Sequence, residues 1–197
     1  MAPTVPLPRV APESAYAPWY TQVMGWPVAG GPPVQLVTGT HFDVLEVPAD
    51  AGAALLCSPV ATGPVARMGR RMRFLVAAGS ADELPGLLDW LEWGGVALDL
   101  TALGAGGRIT APAPPGWCGG SQEAAVWLRP PEPGCEASLP ALSADGGGSR
   151  AAGPARGPDL VRLVGAAATQ CHRARLARAA PVYAARACGP GQTLAFS

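Results

Sequence analysis

An α+β domain is the fold class this sequence predicts, on three observations. Apolar residues make up 49% of the 197, enough to build a core. Helical spacings and strand alternations both occur, but without the strict strand–helix rhythm of a parallel α/β sheet. The 26 glycines and 23 prolines break the chain into many short elements joined by loops. The length suits one domain with an appendage rather than two full cores.

The elements follow in order. Residues 1–12 read as a Pro-rich tail. Apolar residues at 16, 19, 20, 23 and 24 predict a helix over 14–24, stopped at Gly25. Val34 to Thr38 and His41 to Val47 read as strands, the second closed by Pro48, with a short helix over 49–57. A strand over 72–77 is entered from the Gly69-Arg70-Arg71 turn. Ser80-Ala81-Asp82-Glu83 is a capping-box pattern that starts a helix with Leu84, Leu87, Leu88 and Leu91 on one stripe. Strands over 96–100, 108–111 and 124–128 follow, then a Gly/Pro-rich linker over 131–158. A helix from Asp159 to about Arg178 closes the ordered part. The six tryptophans read mostly as core, Trp90 and Trp93 among them.

Charge is sparse, at 14% of residues, and cancels over the chain, but it is unevenly placed. All fourteen basic residues are arginine, which with the excess of Ala, Gly and Pro matches the codon usage of a GC-rich genome. Arg67, Arg70, Arg71 and Arg73 stand in a stretch without acids, the five acids at 82–99 in one without bases, and seven arginines after residue 149 face only Asp159. Local basic segments can meet an anion although the whole chain is not drawn to one. No apolar run reaches the length of a signal peptide or a membrane span. Five widely spaced cysteines without a C-x-x-C pair predict free thiols in a reducing cytoplasm rather than a zinc site. His41 and His172 read as solvated or packed side chains.

Five segments carry a family likeness. They are the helix ending in Gly25-Trp26-Pro27-Val28, the strand and glycine Val34 to Gly39, the strand Phe42 to Pro48, Gly69 to Phe74, and Ala97-Leu98-Asp99 followed by Gly106 to Pro112. In this order and spacing, from about Ala15 to Pro130, the chain resembles the primase–polymerase (prim-pol) domain of the archaeo-eukaryotic primase superfamily. The resemblance implies a prim-pol-like mixed sheet with packed helices over 13–130, to which the chain adds the linker and a basic C-terminal helix and tail over 159–197.

The departures from the family pattern bear on function. The first motif of the family has two carboxylates at i and i+2, which share a strand face and so grip one metal. Here those positions are Glu46 and Pro48; Asp43, three residues before Glu46, falls on the opposite face of a regular strand. Met72 matches the nucleotide-contacting histidine of the second motif, and Asp99 matches the acid of the third. Nucleotidyl transfer by this route uses two metal ions. The resemblance therefore implies a catalytically degenerate protein with Glu46 and Asp99 as remnants. They are expected close together on adjacent strands, facing Arg70, Arg71 and Arg73, with Arg108 a candidate to join them. Such arginines contact phosphate of a nucleotide or nucleic acid; the plainer alternative is a solvated turn paired with the acids at 82–92. The expected role is regulatory binding of nucleotide, nucleic acid or a protein partner, the last through 159–197, with no membrane contact. No cofactor is expected, Mg or Mn entering only if the remnant site still binds metal. The alternatives are an active minimal primase–polymerase using Asp43 as a relocated acid, and a pure interaction scaffold.

Overall fold

The computed structural model describes residues 15–117, 124–142 and 158–187, with side chains as far as residue 179. The expected tail at 1–12, and most of the linker beyond residue 142, lie outside the described residues. An opening helix α1 (Tyr16–Pro18, continued as a π turn over Trp19–Val23) is followed by β1 (Val28–Ala29), β2 (Gln35–Val37) and β3 (Asp43–Pro48). Helix α2 (Ala49–Leu56), strands β4 (Val65–Met68) and β5 (Arg71–Val76), and helix α3 (Ser80–Trp90) come next. Strands β6 (Thr101–Leu103), β7 (Arg108–Thr110) and β8 (Val126–Arg129) precede the long helix α4 (Leu160–Ala187). The fold is α+β, with two antiparallel sheets.

The larger sheet has the order β6-β3-β5-β4-β8 and the smaller the order β1-β2-β7. From β3 to β6 the chain runs strand, helix, strand, strand, helix, strand, and pairs them in the crossed order of a split βαβ unit. The alternation of β3 and β5 divides the core in two. Leu45, Val47, Met72, Phe74 and Val76 face α2, α3 and α4, and Leu160, Leu163, Val164, Ala167 and Ala168 of α4 complete that cluster. Val44 and Leu75 face the other way, onto Tyr20, Trp26, Leu36 and Ile109 from α1 and the small sheet. The small sheet and α1 cover only part of that face. Beyond them lie the residues of the candidate site.

Local chemistry explains the joints. Gly25, at φ 70°, ends the opening helix, and Trp26 N–H donates to the Tyr20 carbonyl at 2.9 Å. The β4–β5 hairpin turns on Gly69 and Arg70, with Met68 opposite Arg71 and Gly69 at φ 53°, a two-residue loop that favours glycine. Its Arg70 carbonyl accepts the Ala49 N–H at 2.8 Å, tying the turn to the start of α2. Asp159, just before α4, accepts the Val161 N–H at 2.8 Å as an N-cap.

Several expectations change. The capping box is not formed: Gly79 occupies the cap position, Ser80 is a buried helical residue, and the Ala81 N–H is taken by Asp43 of β3 at 2.8 Å. A remote acid reaches this helix end, which local spacing cannot reveal. Residues 96–100 are not a strand. Leu98 and Leu100 still turn into the core, while the ladder with β3 begins only at Thr101. Residues 131–142, read as linker, pack instead: Leu139 is buried and Trp26 Nε1 donates to Glu136. Trp90 is not core but 72% exposed.

Helix α3 ends on an unusual residue. Glu92 has φ 63°, its N–H donates to the Asp89 carbonyl at 3.0 Å, and Trp93 N–H reaches back to the Leu88 carbonyl at 2.8 Å. This is a glycine-type helix stop held by a glutamate. Glu92→Gly is expected to stabilise the fold by about 1 kcal/mol, read as a higher denaturation midpoint in urea; an unchanged or lower midpoint counts against this account.

Candidate functional site

The open part of the large sheet brings four of the sequence-predicted residues together. Glu46 on β3 stands directly opposite Arg73 on β5, and Pro48 opposite Arg71, so all four share one face. Arg73 Nε donates to Glu46 Oε2 at 2.7 Å, and Arg71 Nε donates to Glu46 Oε1 at 2.9 Å. Arg71 also reaches across to Asp99, Nη1 to Oδ1 at 2.6 Å. Asp99 is two residues before β6, the other neighbour of β3, which is why a remote acid arrives at the same point. Side-chain exposures of 18% for Glu46, 15% for Arg73 and 27% for Arg71 make this a half-buried network, open at Asp99 with 51%.

The network is electrostatically coherent. Burial works against the Arg71 charge, but the hydrogen bonds to Asp99 and Glu46 outweigh it and hold the guanidinium above its ordinary pKa. Beneath Asp99, the Cys171 thiol donates weakly to the Asp99 carbonyl at 3.7 Å. Burial, with the Asp99 charge adding to it, pushes that thiol up to about 12, so it stays protonated and inert. Cys57 and Cys135 are also free thiols. Among the described residues no group of three His, Cys, Asp or Glu is placed to hold a metal.

Asp43 lies on the opposite face, buried at the start of α3, with Oδ2 on the Ala81 N–H and Oδ1 without a hydrogen-bond partner. The β3–β5 register runs without a bulge from Asp43 to Pro48, so nothing swings Asp43 round to Glu46. Met72, matched to the family's nucleotide-contacting histidine, also faces away. It is buried against Gly52 of α2, where an added Cβ would stand 2.6 Å from its sulfur. The residues on the Glu46 face are the neighbours of Met72 on either side, Arg71 and Arg73.

A divalent ion does not fit between Glu46 and Asp99 as they stand. Both oxygens of Glu46 and one of Asp99 already accept from guanidinium, and an incoming cation would meet the Arg71 charge. Arg71 itself spans the two acids. Arg70 is exposed at the hairpin turn, and Arg108 stands on β7 of the small sheet; neither makes an ion pair among the described residues. The acids at 82–92 do not pair with the arginine turn: the partners of Arg71 and Arg73 are Glu46 and Asp99.

Aromatic chemistry lies elsewhere. Trp127 Nε1 donates at 2.9 Å to the Tyr20 hydroxyl, which in turn donates to the Pro112 carbonyl at 2.7 Å. Burial pushes the Tyr20 hydroxyl well above the ordinary tyrosine range. His41 is exposed, and His172 packs against Trp93 with ring centroids 5.7 Å apart. Among the described residues no helix is long and apolar enough to cross a membrane. Compared with protein-family models, curated proteins and solved structures, the chain matches none.

Proposed function

We propose that this chain is a prim-pol-like cytoplasmic protein that binds a phosphate-bearing ligand, a nucleotide or nucleic acid, in a regulatory role and without nucleotidyl transfer. The observation that carries the reading is the Arg71 guanidinium spanning Glu46 and Asp99. In the family that the motifs resemble, acids at these positions serve a metal; here a fixed internal cation serves them. On the site face Arg71 and Arg73 meet Glu46 and Asp99, and exposed Arg70 at the adjoining hairpin turn adds a positive charge that is unpaired among the described residues. Arg67, opposite Met72, lies on the other face. Guanidinium forks suit phosphate oxygens and need no bridging metal. Glu46, the Arg71 to Phe74 stretch and Asp99 fall on β3, β5 and the approach to β6, neighbouring strands, which supports the family likeness, while Gly106 to Pro112 run onto β7 of the small sheet.

Two features favour binding over catalysis. The relocated acid that polymerase chemistry requires is engaged at the α3 N-terminus, and the open face carries ion pairs rather than stacking aromatics. Asp99, the most exposed member, is the group that a phosphate would displace from Arg71.

The test is a calorimetric titration with a nucleoside triphosphate, with and without Mg²⁺ or Mn²⁺, on the native chain and Asp99→Asn. Binding independent of metal, and several-fold tighter in Asp99→Asn, is the expected result. Binding that requires metal, or primer extension in the same buffer, overturns the reading; absence of heat in every arm overturns it as well.

A further inference from the structure

Helix α3 and the loop after it form a surface outside the network of Glu46, Arg71, Arg73 and Asp99. Leu84, Leu88, Trp93, Val96 and Leu98 line an apolar groove of about 290 Å³, with Asp89 at its edge. Trp90 of the same helix is 72% exposed but is not part of the lining. Asp82, Glu83, Asp89 and Glu92 are all exposed on the same helix and its stop, and none forms an ion pair among the described residues. With Asp89 in the lining and three more acids on the same helix and its stop, this surface is acidic and repels nucleic acid and anionic lipid. It suits a polypeptide segment with an apolar anchor flanked by cations.

The chain carries such a segment itself. Residues 173–178 of α4 read Arg-Ala-Arg-Leu-Ala-Arg, and Leu176 is 56% exposed. Arg178 pairs with Asp50 at 3.6 Å and Arg175 donates to the Ala97 carbonyl, so these two are engaged within the chain. Arg173 is exposed and makes no ion pair among the described residues. One turn apart on the helix, Arg173 and Leu176 share a face.

Groove and ridge are neighbours in one molecule, because α3 packs on α4 and Trp93 rests on His172. A surface that carries an acidic groove beside a basic ridge is self-complementary under a two-fold rotation. We propose that two copies of the chain pair through this surface, Leu176 of each entering the α3 groove of the other and Arg173 meeting the acids around Asp89. The occupant is a second copy of this chain.

Sedimentation velocity of the full chain from micromolar to near-millimolar concentration tests the proposal, with circular dichroism as the check on folding. A concentration-dependent dimer that weakens in high salt is expected. Leu176→Glu and Asp89→Arg should each raise its dissociation constant by about tenfold or more, with circular dichroism unchanged. A monomer at every concentration overturns the proposal, even if an arginine-rich peptide then binds the groove. A dimer indifferent to both substitutions overturns it too.

Discussion

Glu46→Ala is expected to destabilise the fold by roughly 2–3 kcal/mol. The carboxylate accepts from two guanidiniums, Arg71 at 2.9 Å and Arg73 at 2.7 Å, and its loss leaves two half-buried cations, of which Arg71 keeps Asp99 and Arg73 keeps no ion pair among the described residues. The upper values for breaking a buried pair are discounted because these side chains retain 15–27% exposure. Glu46→Gln keeps one acceptor and should fall between. Thermal and urea denaturation decide the matter, and they also separate two kinds of site. In a cluster of carboxylates built for metal, removing one acid in metal-free buffer relieves repulsion and raises stability. A rise in the midpoint for Glu46→Ala would therefore overturn the account of Arg71 as the cation that these acids serve.

Leu163→Ala is expected to cost about 3 kcal/mol, within the 2–5 range for a fully buried leucine. Leu163 is 0% exposed and belongs to the cluster between the large sheet and α2, α3 and α4. The same substitution at exposed Leu176 should stay within about 0.5 kcal/mol. The contrast, read from urea midpoints on one helix, tests whether the first turns of α4 are part of the core. Two small and equal effects would make α4 an appendage held weakly against the domain. The core assignment also bears on partners: over the described side chains, the apolar stripe of α4 from Leu160 to Ala174 is filled by its own domain, so another molecule would meet the far side of the helix.

Much of this architecture was legible from residue order. Strand alternation placed Asp43 and Glu46 on opposite faces, and the structure has them there. The leucine stripe of α3 and the apolar spacing of α4 marked core-facing residues, and the same periodicity sets Trp90 off the stripe, a signal that its assignment to the core passed over. Gly25 marked the end of the opening helix. Strand β4 was missed because Val65-Ala66-Arg67-Met68 is short and mixed, and only pairing with β5 and β8 makes it a strand. The site was legible in part. Glu46, Asp99, Arg71 and Arg73 meet, although Asp99 lies before β6 rather than on a strand, while Arg70 and Arg108 join no ion pair among the described residues and Met72 belongs to the core.

What the sequence determined by itself are the quantities that depend on near neighbours: periodicity, the residues that stop helices and open turns, and which side of a strand each acid takes. Chain geometry repeats over a few residues, so those outcomes need no partner. Only the tertiary structure decided that Arg71 would span acids 25 and 28 residues away, and that Asp43 would serve the start of α3. It likewise decided that Met72 would be held against Gly52. Each of these depends on strand register and on which helix covers which face, and register is set by the burial of the whole sheet rather than by any segment of it.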